Sequence, residues 1–358
     1  MDDNRLVPRD SAVYQEFARL YQLARTLRPT GADRWNGDLH ATSTRRWGAF
    51  NPKTGAIRLS ELDVMQYLTG STFATSPRQQ AQALATVLHE TTHAGMEVDA
   101  PAEPNAVRSG HSEGVMEGFA ELRTVEDFRA FTSRAGYPGL TLEEPQYRGA
   151  YAATESLMAQ VAGPRLRREA IIDAGTQGPV VMHFDLLAEG VVRNRLGDVV
   201  PDRAGDRGAV RAALIETMKH EHWPTLPDRS ARTGEAVAED IRRGLNAKVD
   251  EIRRHYQAHP AHPFPAESPN AESTRAAVLE IPANADLISL PPPAADTRVD
   301  VPLSLTTMRF LSGPAPAAQA IRQAPSLADG SRGAGSPQVP GAARSTPSRP
   351  GPADRNRD

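Results

Sequence analysis

Histidine is scarce in this chain of 358 residues, ten in all. Yet two stand four residues apart with a glutamate directly after the first: His89-Glu90-Thr91-Thr92-His93. Residues i and i+4 share one face of an α-helix, so both imidazoles can reach a single cation. Glu90 is displaced around the helix from that line of coordination and is set to hold a water that the cation also binds. This division of labour suits hydrolysis of a peptide bond. The cation lowers the pKa of a water from ~15.7 towards ~7, and the carboxylate takes the proton and later passes it to the leaving amine. At this histidine content the pattern arises by chance in roughly 2% of such chains. The bland alternative is a pair of core histidines beside an exposed glutamate.

The element that carries the pattern is a helix from about Pro77 to Ala94. Ser76 stands at its N-cap, proline takes the first helical position, and Gly95 closes it. Leu84, Val87, Leu88 and Thr91 fall together as its buried face. Upstream, residues 11–28 place Val13, Phe17, Leu20, Leu23 and Leu27 at helical spacing, with Ser11 as N-cap and Pro29 and Gly31 as the stop. The run RRWGAFNPKTGAIRLS reads as a hairpin around 51–55, with its second strand at 56–60. A short helix fits 61–68, and further helices fit about 113–131, 146–161, 207–221 and 232–257. The class is therefore α+β, predominantly helical, with a small sheet. Residues 1–262 read as the folded domain, with a helical lobe from about 165 that could close a cleft.

Beyond about residue 260 the character changes. More than half of the 30 prolines lie there, among Ser, Gly and Ala. Such composition buries too little apolar surface to offset its ordering entropy, so 263–358 reads as a largely disordered tail. Its arginines and acids balance, nine of each with no lysine, so it is no polybasic arm. Two apolar islands, LISL at 287–290 and MRFL at 308–311, are candidates for docking on the folded part or on a protein partner.

Composition removes several classes. A net charge of -3 gives no reason to expect a nucleic-acid partner. The chain has no cysteine, so a metal must be held by His, Asp or Glu. Nowhere do eighteen apolar residues follow one another, so no membrane span is expected. The N-terminus begins with acids and has no apolar run, which argues against a classical signal peptide. The expected location is the cytoplasm, or outside it by a route independent of a signal peptide.

The motif His89-Glu90-x-x-His93, with the strand GAIRLS before it, resembles the zincin metallopeptidases. The likeness covers about residues 45–130. It implies Zn2+ as cofactor, a protein or peptide substrate, and an edge strand, including residues 56–60, along which the substrate lies extended. A catalytic zinc takes three protein ligands and keeps a fourth position open. In the gluzincin branch the third ligand is a glutamate on a downstream helix, often followed four residues later by an acid. The segment HSEGVMEGFAELRTVEDF fits, with Glu117 as ligand and Glu121 accepting from a ligating histidine. Gly118 between them implies a close helix contact, a backbone approach between the two active-site helices. In the metzincin branch the third ligand falls at Asp99, but the glycine stands at 95 instead of 96. His111, in the intervening segment, is a third candidate. Tyr147, Tyr151 and His183 are available to stabilise a developing oxyanion, and Tyr151 is preferred from its place behind Gly149-Ala150.

The pair His255 and His259 has no acid after its first member and is expected at the surface, while His220 and His222 are expected on different sides of a helix. A peptidase core beside a low-complexity segment also resembles compact HExxH domains deployed as secreted bacterial effectors or toxins. The reading of another class is a zincin-shaped binding or scaffold protein without turnover, acting through its helical lobe and tail.

Overall fold

The structure, a computed structural model, describes residues 4–44, 47–69, 76–266 and 269. The tail and both apolar islands fall outside the described residues, apart from its first few positions.

The chain opens with a two-residue strand, β1 (Arg5–Leu6), and helix α1 (Ala12–Leu27). Ser11 caps α1, accepting from the Tyr14 backbone at 3.4 Å. The expected apolar stripe is buried at Phe17 and Leu20, extended by Tyr21 and Ala24. Three strands follow: β2 (Leu39–Thr42), β3 (Gly48–Phe50) and β4 (Ile57–Ser60). The β3–β4 hairpin forms as expected. Asn51 Oδ1 accepts from the backbones of Lys53 and Thr54 at 2.9 and 3.2 Å, and Gly55 turns the chain at φ 78°.

The sheet order is β1-β2-β4-β3. Strand β4 is therefore interior, parallel to β2 and antiparallel to β3. This corrects the expectation that 56–60 is the edge: β2 covers its far side, and the edge facing the histidine helix is β3. Hydrogen bonds from Ser60 N to Trp47 O and from Asn51 N to Ala56 O set the alternation along the hairpin. Gly48 and Phe50 fall between those bonded positions, so their main-chain groups point out of the sheet. The expected short helix at 61–68 is a 3-10 turn, Met65–Tyr67.

Helix α2 (Pro77–Ala94) has the expected bounds. Gly95 follows in a right-handed conformation, φ −87°, so a left-handed cap is not its reason. A side chain there would meet Arg25 Nη1 and Thr30 Oγ1 at 2.9 Å, so space selects the glycine. Helix α3 (Gly110–Ala135) is longer at both ends than its sequence pattern implies and closes on Gly136 at φ 91°. Then come α4 (Arg148–Val161), α5 (Arg168–Gln177), α6 (His183–Val191), α7 (Ala204–Met218) and α8 (Ala231–Ala258). Helix α7 stops before His220 and His222. These two occupy the turn beyond it, ring centroids 5.1 Å apart, and not two faces of a helix.

Two hydrophobic cores organise the described residues. One joins α1, the sheet and α2 through Phe17, Leu20, Leu39, Ile57, Leu84 and Val87. The other joins α3 through α8 around Phe119, Phe184, Trp223 and Ile241. Helix α3 belongs to both: Val115, Phe119 and Leu122 enter the helical core, while Phe128, Phe131 and Ala135 enter the mixed one. The helical side thus begins with α3, well before residue 165. Among the described residues no helix is long and apolar enough to cross a membrane.

Candidate metal centre between the two cores

Helix α2 carries His89 and His93 one turn apart, and α3 brings Glu117 to them. His89 Nε2 lies 2.9 Å from His93 Nε2 and 3.0 Å from Glu117 Oε2, and His93 Nε2 is 3.3 Å from the same oxygen. Among the described residues this is the one group of three or more His, Cys, Asp or Glu side chains able to hold a metal ion. An ion bound tetrahedrally at about 2.0–2.1 Å sets its ligand atoms about 3.3 Å apart. The observed triangle is that size or slightly smaller, so the donor set fits such an ion with small outward shifts. Three lone-pair donors this close repel one another unless a cation or protons lie between them.

The approach of α3 depends on Gly118. A side chain there would run into Thr154 Oγ1 and lie 2.9 Å from the Ala150 carbonyl of α4. The expected close contact therefore exists, but its partner is α4 and not α2.

Glu121, one turn beyond Glu117, is fully buried, with Oε2 2.9 Å from His89 Nδ1. The contact is short in distance but off the hydrogen-bond line, since neither atom has an aligned partner. The other carboxylate oxygen accepts from the Gln146 backbone at 2.7 Å. Gln146 in turn donates to Gln82 O and Thr86 Oγ1 at 2.9 and 2.7 Å, tying the segment before α4 to α2. Nothing in the sequence singled out this brace.

Charge is concentrated here. Burial would push His89 down, but the hydrogen bond to Glu117 and the charges of Glu121 and Glu117 override it and hold the imidazole well above its usual range. Burial would raise Glu117, and the charge and hydrogen bonds of His93 and His89 reverse that, leaving it far below the ordinary carboxylate range. Glu90 behaves oppositely. Burial raises it, the neighbouring charge of Glu117 adds to the rise, and His89, His93 and a hydrogen bond from the Phe50 backbone oppose it. Glu90, beside the three donors, is thus more ready to take a proton than an ordinary glutamate.

Strand β3 presses on Glu90. A Cβ on Gly48 would stand 2.6 Å from Glu90 Oε1 and 2.8 Å from Thr86 Cγ2. The histidines and Glu90 are buried, at 1%, 7% and 2% exposure for His89, His93 and Glu90. The Glu117 side chain keeps 21%, so the centre opens on its side.

The remaining candidates separate cleanly. Asp99 turns away: its carboxylate accepts from Arg108 Nε at 2.9 Å and from the Ala100 backbone at 2.8 Å. The cause is Met96, which is buried in the helical core where the metzincin pattern needs a glycine, while Glu97 pairs with Pro179. Asp99 is therefore not brought to the histidines. His111 bonds Ser109 Oγ at 2.9 Å at the start of α3 and stands outside the group. Tyr151 is half-buried, with Glu155 and Arg168 as its strongest charged neighbours. Tyr147 has the place expected for Tyr151. Its ring lies 4.9 Å from that of His89, and burial together with the charges of Glu90, Glu117 and Glu121 pushes its phenol strongly up. Its adjacency to Gln146 is the signal that could have found it, and that signal exists only in the fold. His183 is buried with Nε2 2.8 Å from Gly175 O. His255 and His259 lie at the C-terminal end of α8, ring centroids 5.6 Å apart, at or near the surface as expected.

Comparison with protein-family models, with curated proteins and with solved structures finds no match.

Proposed function

We propose that the chain is a zinc-dependent peptidase of gluzincin type, with His89, His93 and Glu117 as metal ligands and Glu90 as general base. The observation that carries this reading is the convergence of three donor atoms within 2.9–3.3 Å, beside a buried glutamate whose acidity is weakened. Zinc, when bound, supplies Lewis acidity that lowers the pKa of a water to about 7 and polarises a carbonyl. Glu90 takes the proton from the attacking water and delivers it to the leaving nitrogen. A base with a raised pKa takes that proton from the water more readily than an ordinary glutamate. Glu121 and Gln146 hold the His89 ring against rotation.

The outward main-chain groups of Gly48 and Phe50 are the edge on which an extended substrate would add as a strand. Gly48 of the same strand lies directly against the Glu90 carboxylate, so strand addition and the placement of the base are coupled. Tyr147, held protonated by its surroundings and with its ring against that of His89, is the donor assigned to an oxyanion.

One observation favours a second reading, a metal-holding protein without turnover: both histidines and Glu90 are almost fully buried. The two readings part on Glu90→Gln. In the peptidase this variant keeps its zinc and loses cleavage of a generic unfolded protein. Equal cleavage by wild type and variant refutes the assigned base, and zinc retention with no cleavage by wild type favours the holding protein.

A further inference from the structure

His183 is a buried titratable group with no part in the proposed reaction, and the fold brings it to the metal helix. The chain after α2 pairs at Glu97 with Pro179, and Val180 N donates to Glu97 O at 2.9 Å. That bridge sets the start of α6, where His183 stands, beside the end of α2, four residues past His93. His183 is 1% exposed, packs on Phe119 with ring centroids 4.7 Å apart, and feels the charge of His93.

Tautomers follow from the partners. A carbonyl can only accept, so the 2.8 Å contact between His183 Nε2 and Gly175 O requires hydrogen on Nε2. Burial pushes the ring down to about 4, which keeps it neutral. Its Nδ1 is therefore a bare acceptor, buried and without a partner. His93 is the complement. With Nε2 given to a metal, its hydrogen sits on Nδ1, a donor that is also buried and without a partner.

We infer that His183 is the positioning residue of His93, its Nδ1 receiving the His93 Nδ1–H through one bridging water; this rests on the metal reading above. A ligating histidine whose second nitrogen is engaged keeps its ring orientation and gains basicity. A water can accept from the His93 ring and donate to the His183 ring, so one molecule would satisfy both partnerless nitrogens.

Two substitutions in the full-length chain separate this role from packing. The amide of Asn reaches as far as Nδ1 of histidine, and the amide of Gln reaches as far as Nε2. His183→Asn therefore keeps the acceptor and loses the Gly175 bond, and His183→Gln does the reverse. Zinc affinity is read by competition with a chromogenic chelator, and ligand geometry from the visible spectrum of the cobalt(II) form. The expected result is tenfold or more weaker zinc binding and a shifted cobalt spectrum in His183→Gln, with His183→Asn close to wild type. The inference is overturned if the Gln variant matches wild type, whether or not the Asn variant weakens. Wild type that binds no zinc overturns the metal reading itself, and this inference with it; wild type that binds zinc while the Gln variant is unchanged overturns this inference alone.

Discussion

The two cores contribute unequally to the centre between them. The mixed core supplies one helix and one strand edge: α2 carries His89, Glu90 and His93, and β3 lies against Glu90 through Gly48. The helical core supplies what meets them from across the seam, namely Glu117 and Glu121 on α3 and Gln146 and Tyr147 before α4. The first contribution is local in sequence, five consecutive residues on one helix. The second is scattered and is assembled only when α3 spans both cores. A cation held between His89, His93 and Glu117 would therefore bond the two halves to each other as well as do chemistry.

The largest test of that contrast is thermodynamic. Phe17→Ala removes a fully buried ring from the mixed core and Phe119→Ala one from the helical core. Each is expected to cost about 3–5 kcal/mol, measured by calorimetry. If zinc joins the halves, the two variants should each melt in one transition with zinc. With chelator, Phe119→Ala should lose its helical half first. A single transition in every condition would mean that the cores are coupled without the ion.

Next in size is Gly48→Ala. The added methyl displaces Glu90 from the strand side while the ligands stay, so cleavage should fall about 100-fold with zinc content unchanged. Unaltered cleavage would show that β3 has no part in placing the base. Glu121→Gln should loosen zinc about 10- to 100-fold, because the His89 ring loses its charged partner. Chelator competition reads this directly, and unchanged affinity would remove Glu121 from the account.

The smallest effect concerns pH. Glu90 has a raised pKa in the fold, so its neutral form is favoured there. Its contribution to stability is full below the unfolded value near ~4.3 and is lost as pH rises through the folded value. Glu90→Gln should thus raise the melting temperature slightly at pH 7–8 in the zinc-free chain while abolishing cleavage. The acid limb of the cleavage rate should also lie above the ordinary glutamate range. A stability cost from Glu90→Gln at neutral pH would contradict the burial cause given for the shift.

The same contrast governs how far the sequence could be read. Helix α2 announces its bounds through Ser76-Pro77 and Gly95, and its chemistry through histidine spacing, because every signal lies within one element. Ser76 nevertheless makes no capping bond through its side chain. Glu117 and Glu121 were legible as an i, i+4 pair, and the glycine at 95 instead of 96 already spoke against Asp99, which the fold turns to Arg108. Sheet order was not legible: β2, Leu39–Thr42, follows the turn pair Asn36-Gly37 and alternates, but four residues do not encode which strand they pair with, and without that pairing 56–60 passes for an edge. The choice between Tyr147 and Tyr151 turned on the Gln146 brace, a contact across 25 residues to Glu121 that no local pattern encodes. Gly118 was read correctly as a close approach, with the wrong neighbour.

The most direct measurement of the whole account is the zinc content of the purified full-length chain beside Glu117→Ala. About one zinc per wild-type chain, lost in Glu117→Ala although the His89–His93 pair is intact, is the result expected if α3 completes the centre. Zinc held as tightly without Glu117, or no zinc in wild type, would contradict it.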